Sequence, residues 1–226
     1  MGSLVDSRFV TPQDTTSQFS FEWSLIVKRP LPVSFEKRIL AITTSGETVV
    51  DNAPMRTNYP FDPEDYFSEG ELYSYVLGAC FDHLYGSLLK GRQLTSLSVS
   101  VSNVIPDYDA LEGATEQIPE SSESDEDEWY GGDSGERLLK FAYEVNGVTR
   151  EGEPVQRDGE SEQGHMFNDP YNLPDDREML SDALVGSFGH FWTFSMEKCD
   201  RFELKDVTVT LKNFEFTTTP PRHALR

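Results

Sequence analysis

The chain of 226 residues predicts an α+β fold, a mostly antiparallel sheet with two main helices, built as two duplicated halves with an acidic flexible insert between them. Three observations predict it. Several stretches alternate apolar and polar residues with period two, and two stretches carry helical apolar spacing behind N-cap residues. Charge is also unevenly spread. Residues 107–182 hold 23 Asp and Glu against 5 Lys and Arg, and the remaining residues hold 17 against 14. Nearly balanced ends therefore flank an anionic middle.

Residues 1–17 are polar and rich in Thr, Ser and Asp, the composition of a flexible arm. The first α+β half is read over 18–105. Phe19, Phe21, Trp23, Leu25 and Val27 fall on one face of a period-two strand that Lys28-Arg29-Pro30 is expected to end. Strands around Lys37–Thr44 and Glu47–Asp51 are joined by Ser45-Gly46, a hairpin signal. Pro54, Pro60 and Pro63 hold residues 52–67 in an extended connection that cannot be helical. Ser68-Glu69-Gly70-Glu71 is a capping box, in which the Ser68 hydroxyl accepts the Glu71 amide. Leu72, Val76, Ala79, Leu84 and Leu88 then follow helical spacing, and Gly91 suits a left-handed stop. Leu97, Val99 and Val101 alternate with Ser96, Ser98, Ser100 and Ser102, a strand with one polar face.

Residues 106–135 are read as an acidic disordered segment, because the like-charge run Glu120–Glu128 has nothing to bury. Ser122 and Ser124 each precede an acid by three residues, a pattern that acidophilic kinases favour. The second α+β half is read over 136–219. It starts with a strand over Leu138–Val148, ended at Asn146-Gly147, after which residues 149–174 return to Gly, Pro and acid. Asp175, with Glu178 three residues on, caps a second helix whose stripe is Leu180, Ala183, Leu184, Phe188 and Phe191. Leu204–Leu211 alternates as a strand that continues through Phe214 and Phe216, and 220–226 is a tail. The two helix–strand units align. Cys80–Tyr85 matches Ser187–Trp192, and Leu94, Leu97, Val99, Val101 and Asn103 match Leu204, Val207, Val209, Leu211 and Asn213.

Composition excludes several functions. No window approaches the roughly 18–20 apolar residues that span a bilayer. No basic stripe interleaved with aromatics serves direct nucleic-acid binding. The start of the chain has no charged region followed by an apolar one, so a cytoplasmic or nuclear site, without secretion, is expected. Cys80 and Cys199 fit two reduced thiols there. No phosphate-binding Gly loop, nucleophile elbow or paired-His zinc helix occurs, and no cofactor is implied. Cys80, His83, His190 and Cys199 could supply a tetrahedral zinc set, but their spacing matches no compact zinc motif.

Leu77-Gly78-Ala79-Cys80 on a helix, followed by Lys90-Gly91 and the alternating strand Leu97–Val101, resembles the central helix and following strand of OsmC/Ohr-type thiol peroxidases. The resemblance covers residues 71–101 and implies that Cys80 is a peroxidatic thiolate, with Arg56 placed to lower its pKa. The second cysteine departs from the family's pattern, since Cys199 lies in Glu-Lys-Cys-Asp just before the last strand.

The residues themselves favour a non-catalytic interaction or assembly protein that presents its acidic segment to a basic protein. The partner would be a cationic protein such as a histone, a ribosomal protein or a toxin, or a neighbouring subunit of a multiprotein or viral assembly. Homo-oligomers are compatible with this reading. Asp125, Glu126, Asp127 and Glu128 would steer the partner, and Trp129 and Tyr130 would anchor it.

Overall fold

The computed structural model describes residues 29–61, 67–89, 91–112, 134–167, 172–196 and 203–221. Strand β1 (Arg29–Thr43) turns back as β2 (Thr48–Phe61), helix α1 (Glu69–Leu84) crosses over, and β3 (Leu94–Pro106) returns along the other side of β1. After a short 3-10 turn at Tyr108–Glu112, the plan repeats with β4 (Gly135–Thr149), β5 (Pro154–Phe167), α2 (Asp176–Phe191) and β6 (Leu204–Thr219). The six strands form one antiparallel sheet in the order β2-β1-β3-β6-β4-β5, so the β3–β6 ladder alone joins the two halves of the sheet. No helix among the described residues is long and apolar enough to cross a membrane.

Both helices lie on one face of the sheet, because period-two alternation gives each inner strand one apolar face. Val33, Phe35 and Ile39 of β1, Leu97, Val99 and Val101 of β3, and Val207, Val209 and Leu211 of β6 are all buried beneath them. Burying each such side chain contributes about 1.5–3 kcal/mol. The helices start where their caps dictate. Ser68 Oγ accepts from the Glu71 amide at 3.4 Å, and Asp175 Oδ1 accepts from the Glu178 amide at 2.8 Å. The helices also pack on one another, with the Tyr73 and Phe188 rings stacked at 6.0 Å. Gly70 lets Trp192 close over the start of α1, since a Cβ there would stand 2.6 Å from the indole nitrogen.

The halves are related by a pseudo-twofold axis through the middle of the β3–β6 ladder. Val99 pairs with Val209, its own equivalent, and the flanking hydroxyl pairs Ser98–Thr210 (3.0 Å) and Ser100–Thr208 (2.8 Å) exchange places under the rotation. The hairpins match atom for atom. Thr43 and Thr149 each donate their amide to the Glu47 or Glu153 carbonyl, accept that Glu's amide on the side-chain oxygen, and close over a glycine at φ 82° or 87°. The bulges match too. Phe35 faces both Asn103 and Val104, Phe141 faces both Asn213 and Phe214, and the two asparagines take φ 53° and 59°. Asparagine suits a left-handed bulge residue because its short side chain tolerates that conformation.

Four expectations change. Residues 52–61 are extended as the prolines require, but they form edge strand β2 rather than a connection. The stretch after Thr149 is not loop throughout, because β5 occupies Pro154–Phe167. Arg29 and Pro30, read as the close of an earlier strand, belong to β1, which also carries Pro32. The acidic middle is two things: residues 107–134 hold eleven acids and no base, whereas residues 135–182, with twelve acids and five bases, build β4, β5 and the start of α2. The arm at 1–17, the strand expected over Phe19–Val27, most of the acidic segment and the tail beyond Pro221 lie outside the described residues. Pro221 itself is buried.

Asn103 and Asn213 are both exposed, so substitutions there read the backbone rather than packing. Asn103→Gly should leave stability unchanged or raise it, and Asn103→Val should lower it by about 1–2 kcal/mol in urea denaturation. The same pair of results is expected at Asn213.

Candidate interaction surface

No described residue covers the sheet face away from the helices. At its centre, Ser96, Ser98, Ser100 and Ser102 of β3 face Lys212, Thr210, Thr208 and Asp206 of β6. The central hydroxyls of this row, Ser98 with Thr210 and Ser100 with Thr208, satisfy one another across the strands.

The two flanks of that face differ in charge. On the β1–β2 side stand Glu36, Arg38 and Arg56, together with an apolar trio of Leu40, Ile42 and Val50, each 36–50% exposed. On the β4–β5–β6 side stand Glu144, Asp158, Glu160, Glu162 and Asp206 against Lys140 and Lys212. An open groove of about 490 Å³ runs here between Lys140, Ala142, Glu160, Glu162, Asn213 and Glu215. Glu144 is engaged. It accepts from Asn146 Nδ2 at 2.8 Å and lies 3.6 Å from Lys212 Nζ, and the Asn146 bond first, then Lys212, holds its carboxyl below the usual range. Asp158, Glu160 and Glu162 have no ion-pair or hydrogen-bonding partner among the described residues. Their negative potential is therefore directed outward.

The sequence hides these three acids, because a stretch of Gly, Pro and acid has the composition of a loop. Two signals could have found them: the Thr-x-x-Gly-Glu run shared by residues 43–47 and 149–153, and the period-two spacing of Asp158, Glu160 and Glu162 beyond it. The residues expected to meet a partner, Asp125, Glu126, Asp127, Glu128, Trp129 and Tyr130, lie outside the described residues, as does Cys199.

Cys80 and Arg56 are not brought together. Cys80 is fully buried on α1, whereas Arg56 belongs to the opposite, uncovered face and pairs with Asp107 at 3.3 Å. Burial pushes the Cys80 thiol up to about 12, the Lys37 charge opposing and Asp51 adding to the rise. A thiolate nucleophile needs the reverse shift. Lys37 itself is buried and paired with Asp51, so its charge is already spoken for. Cys80 also points away from His83, which is exposed on the outer side of α1, and His190 is exposed on α2. Among the described residues no group of three or more His, Cys, Asp or Glu side chains could hold a metal ion.

One further carboxyl is perturbed. Glu69, in the first turn of α1, accepts from the Leu204 amide at 3.1 Å, beside the Tyr73 hydroxyl that donates to the Leu204 carbonyl at 2.6 Å. Together they fasten the start of β6 to α1. Burial lifts the Glu69 carboxyl from the ordinary 4.5 to about 7, against the pull of the Leu204 amide and of Arg150, which itself pairs with Glu203 at 2.6 Å.

Two outcomes follow from these environments. With Cys199 replaced by Ser, the native protein at pH 8 should label at Cys80 only as fast as it unfolds, measured with a thiol-specific chromogenic reagent; rapid labelling or peroxide consumption would make Cys80 a nucleophile after all. For Glu69, the folded state holds its proton more tightly than the unfolded chain does, so its contribution to stability is full below pH 4.5 and is lost as pH rises through about 7. Glu69→Gln keeps the acceptor oxygen and should be more stable than the parent at pH 8 but not at pH 4, as read from the melting temperature.

Compared with known proteins, this chain matches no family model, no curated protein and no solved structure.

Proposed function

We propose that the protein is a non-catalytic interaction or assembly protein that engages a basic protein partner, or a basic neighbouring subunit, through acidic surface. The observation that carries this reading is the trio Asp158, Glu160 and Glu162, which no described residue pairs with or covers on its sheet face. The composition agrees, since residues 107–134 hold eleven acids and no base. Charge at this density accelerates encounter with a cation by long-range attraction, and the ordered face supplies fixed geometry for selection. The thiol-peroxidase alternative would need Cys80 exposed and ionised, and its burial gives that reading no support.

Surface plasmon resonance with a basic protein such as a histone tests the reading. Deleting residues 120–128 should slow association, by roughly ten-fold at low salt, and flatten its dependence on ionic strength. Replacing Asp158, Glu160 and Glu162 together by their amides should chiefly speed dissociation. Association insensitive to salt in the parent protein would refute an electrostatic partner.

A further inference from the structure

We infer that the outer edge of β5 is a strand-addition site for an extended basic segment of a partner protein. The inference rests on the reading of the protein as an acidic binder and specifies how the partner is held.

Among the described residues, β2 and β5 are the outer strands of the sheet, and they are equivalent under the pseudo-twofold. The hairpin bonds from the Thr43 amide to the Glu47 carbonyl, and from the Thr149 amide to the Glu153 carbonyl, set which backbone groups turn inward. In both outer strands the odd-numbered residues bond to the inner neighbour, so the even-numbered residues direct their N–H and C=O groups outward. On β2 two of these outward positions are Pro54 and Pro60. Proline offers no donor and its ring obstructs an arriving strand, so β2 is closed to any partner.

The equivalents of Asn52, Pro54, Arg56 and Pro60 on β5 are Asp158, Glu160, Glu162 and Met166. No proline follows Pro154 in β5, and no described strand pairs with its outward N–H and C=O groups from Gln156 to Met166. The three carboxylates stand on these same residues, without a partner among the described residues, with side chains on the face away from the helices. Like charges placed opposite one another oppose pairing, so the β5 edge of a second copy is repelled, whereas a strand with lysine or arginine at alternate positions meets a carboxylate at each step. The two edges are thus guarded by different chemistry. One excludes every strand, and the other excludes acidic ones.

The test uses the full chain and a nine-residue peptide alternating lysine and valine, titrated at about 50 mM salt, where surface attraction is weakly screened. In antiparallel pairing the lysines whose side chains meet the carboxylates also direct their amides at β5. N-methylation at the lysine positions should therefore abolish binding, and N-methylation at the valine positions should spare it. Hydrogen exchange should slow at the even-numbered amides of β5. Glu160→Pro places on β5 the residue that the fold already accommodates at Pro54, and it should weaken the peptide by roughly ten-fold or more without loss of the native spectrum. Equal affinity for the two methylated peptides, or unchanged exchange across β5 while the peptide still binds, overturns strand addition and leaves the acidic-binder reading standing. Failure of every cationic peptide to bind overturns both. Should Glu160→Pro not fold, the paired methylated peptides decide the matter on the parent protein.

Discussion

The structure depends on the antiparallel pairing of β3 with β6. Neither three-stranded half is complete alone, since Leu97, Val99 and Val101 would line an open edge on one side, and Val207, Val209 and Leu211 on the other. Joining them pairs the two edges and brings α1 beside α2 on one continuous apolar face. Because the joint is self-complementary, each favourable contact on one side of Val99 and Val209 recurs on the other, as the paired Ser–Thr bonds show. The helix contact adds to the same joint through Tyr73 on Phe188 and through the indole of Trp192 over Gly70.

Much of this could be read from the chain because local chemistry agrees with the tertiary arrangement. Ser68 and Asp175 cap helices where their hydroxyl and carboxylate require, and the strands with one apolar face, β3 and β6, stand in the alignment that periodicity gave, down to Asn103 and Asn213. Edge strands were harder. β5 turns Arg157, Gly159, Ser161, Gln163 and His165 toward the helices, where an inner strand would have valine, so apolar alternation is missing. β2 was hidden by Pro54 and Pro60, residues that an edge tolerates and an interior strand does not. The candidate surface was legible only as excess acid. Which carboxylates share a face depends on strand register, and register is fixed by the partner strand rather than by the segment itself.

The halves keep a common frame and differ in chemistry at chosen points. Cys80 and Ser187 occupy equivalent buried helix positions, the serine satisfied by donating to the Ala183 carbonyl at 2.7 Å. Gly70 makes room for Trp192, whereas its equivalent Arg177 reaches across to Asp82 at 2.7 Å and ties the outer surfaces of the two helices together. The first half also carries the buried Lys37–Asp51 pair, and the second the stack of Arg157 on the Phe194 ring at 4.6 Å. Conserving the backbone plan while exchanging side chains lets one half hold the core ion pair and the other present free carboxylates.

The order of strands gives the connection between the halves an unusual freedom. β4 follows β3 in the chain, yet β6 lies between them in the sheet, so no ladder depends on the covalent link across residues 113–133. Severing the backbone there would leave every ladder among the described strands in place and would turn a one-body assembly into a two-body one, with each fragment keeping its own hairpin, helix and half of the seam. Fragments of this kind can reconstitute from separate chains, and the seam's self-matching character means that either could also find a twin of itself.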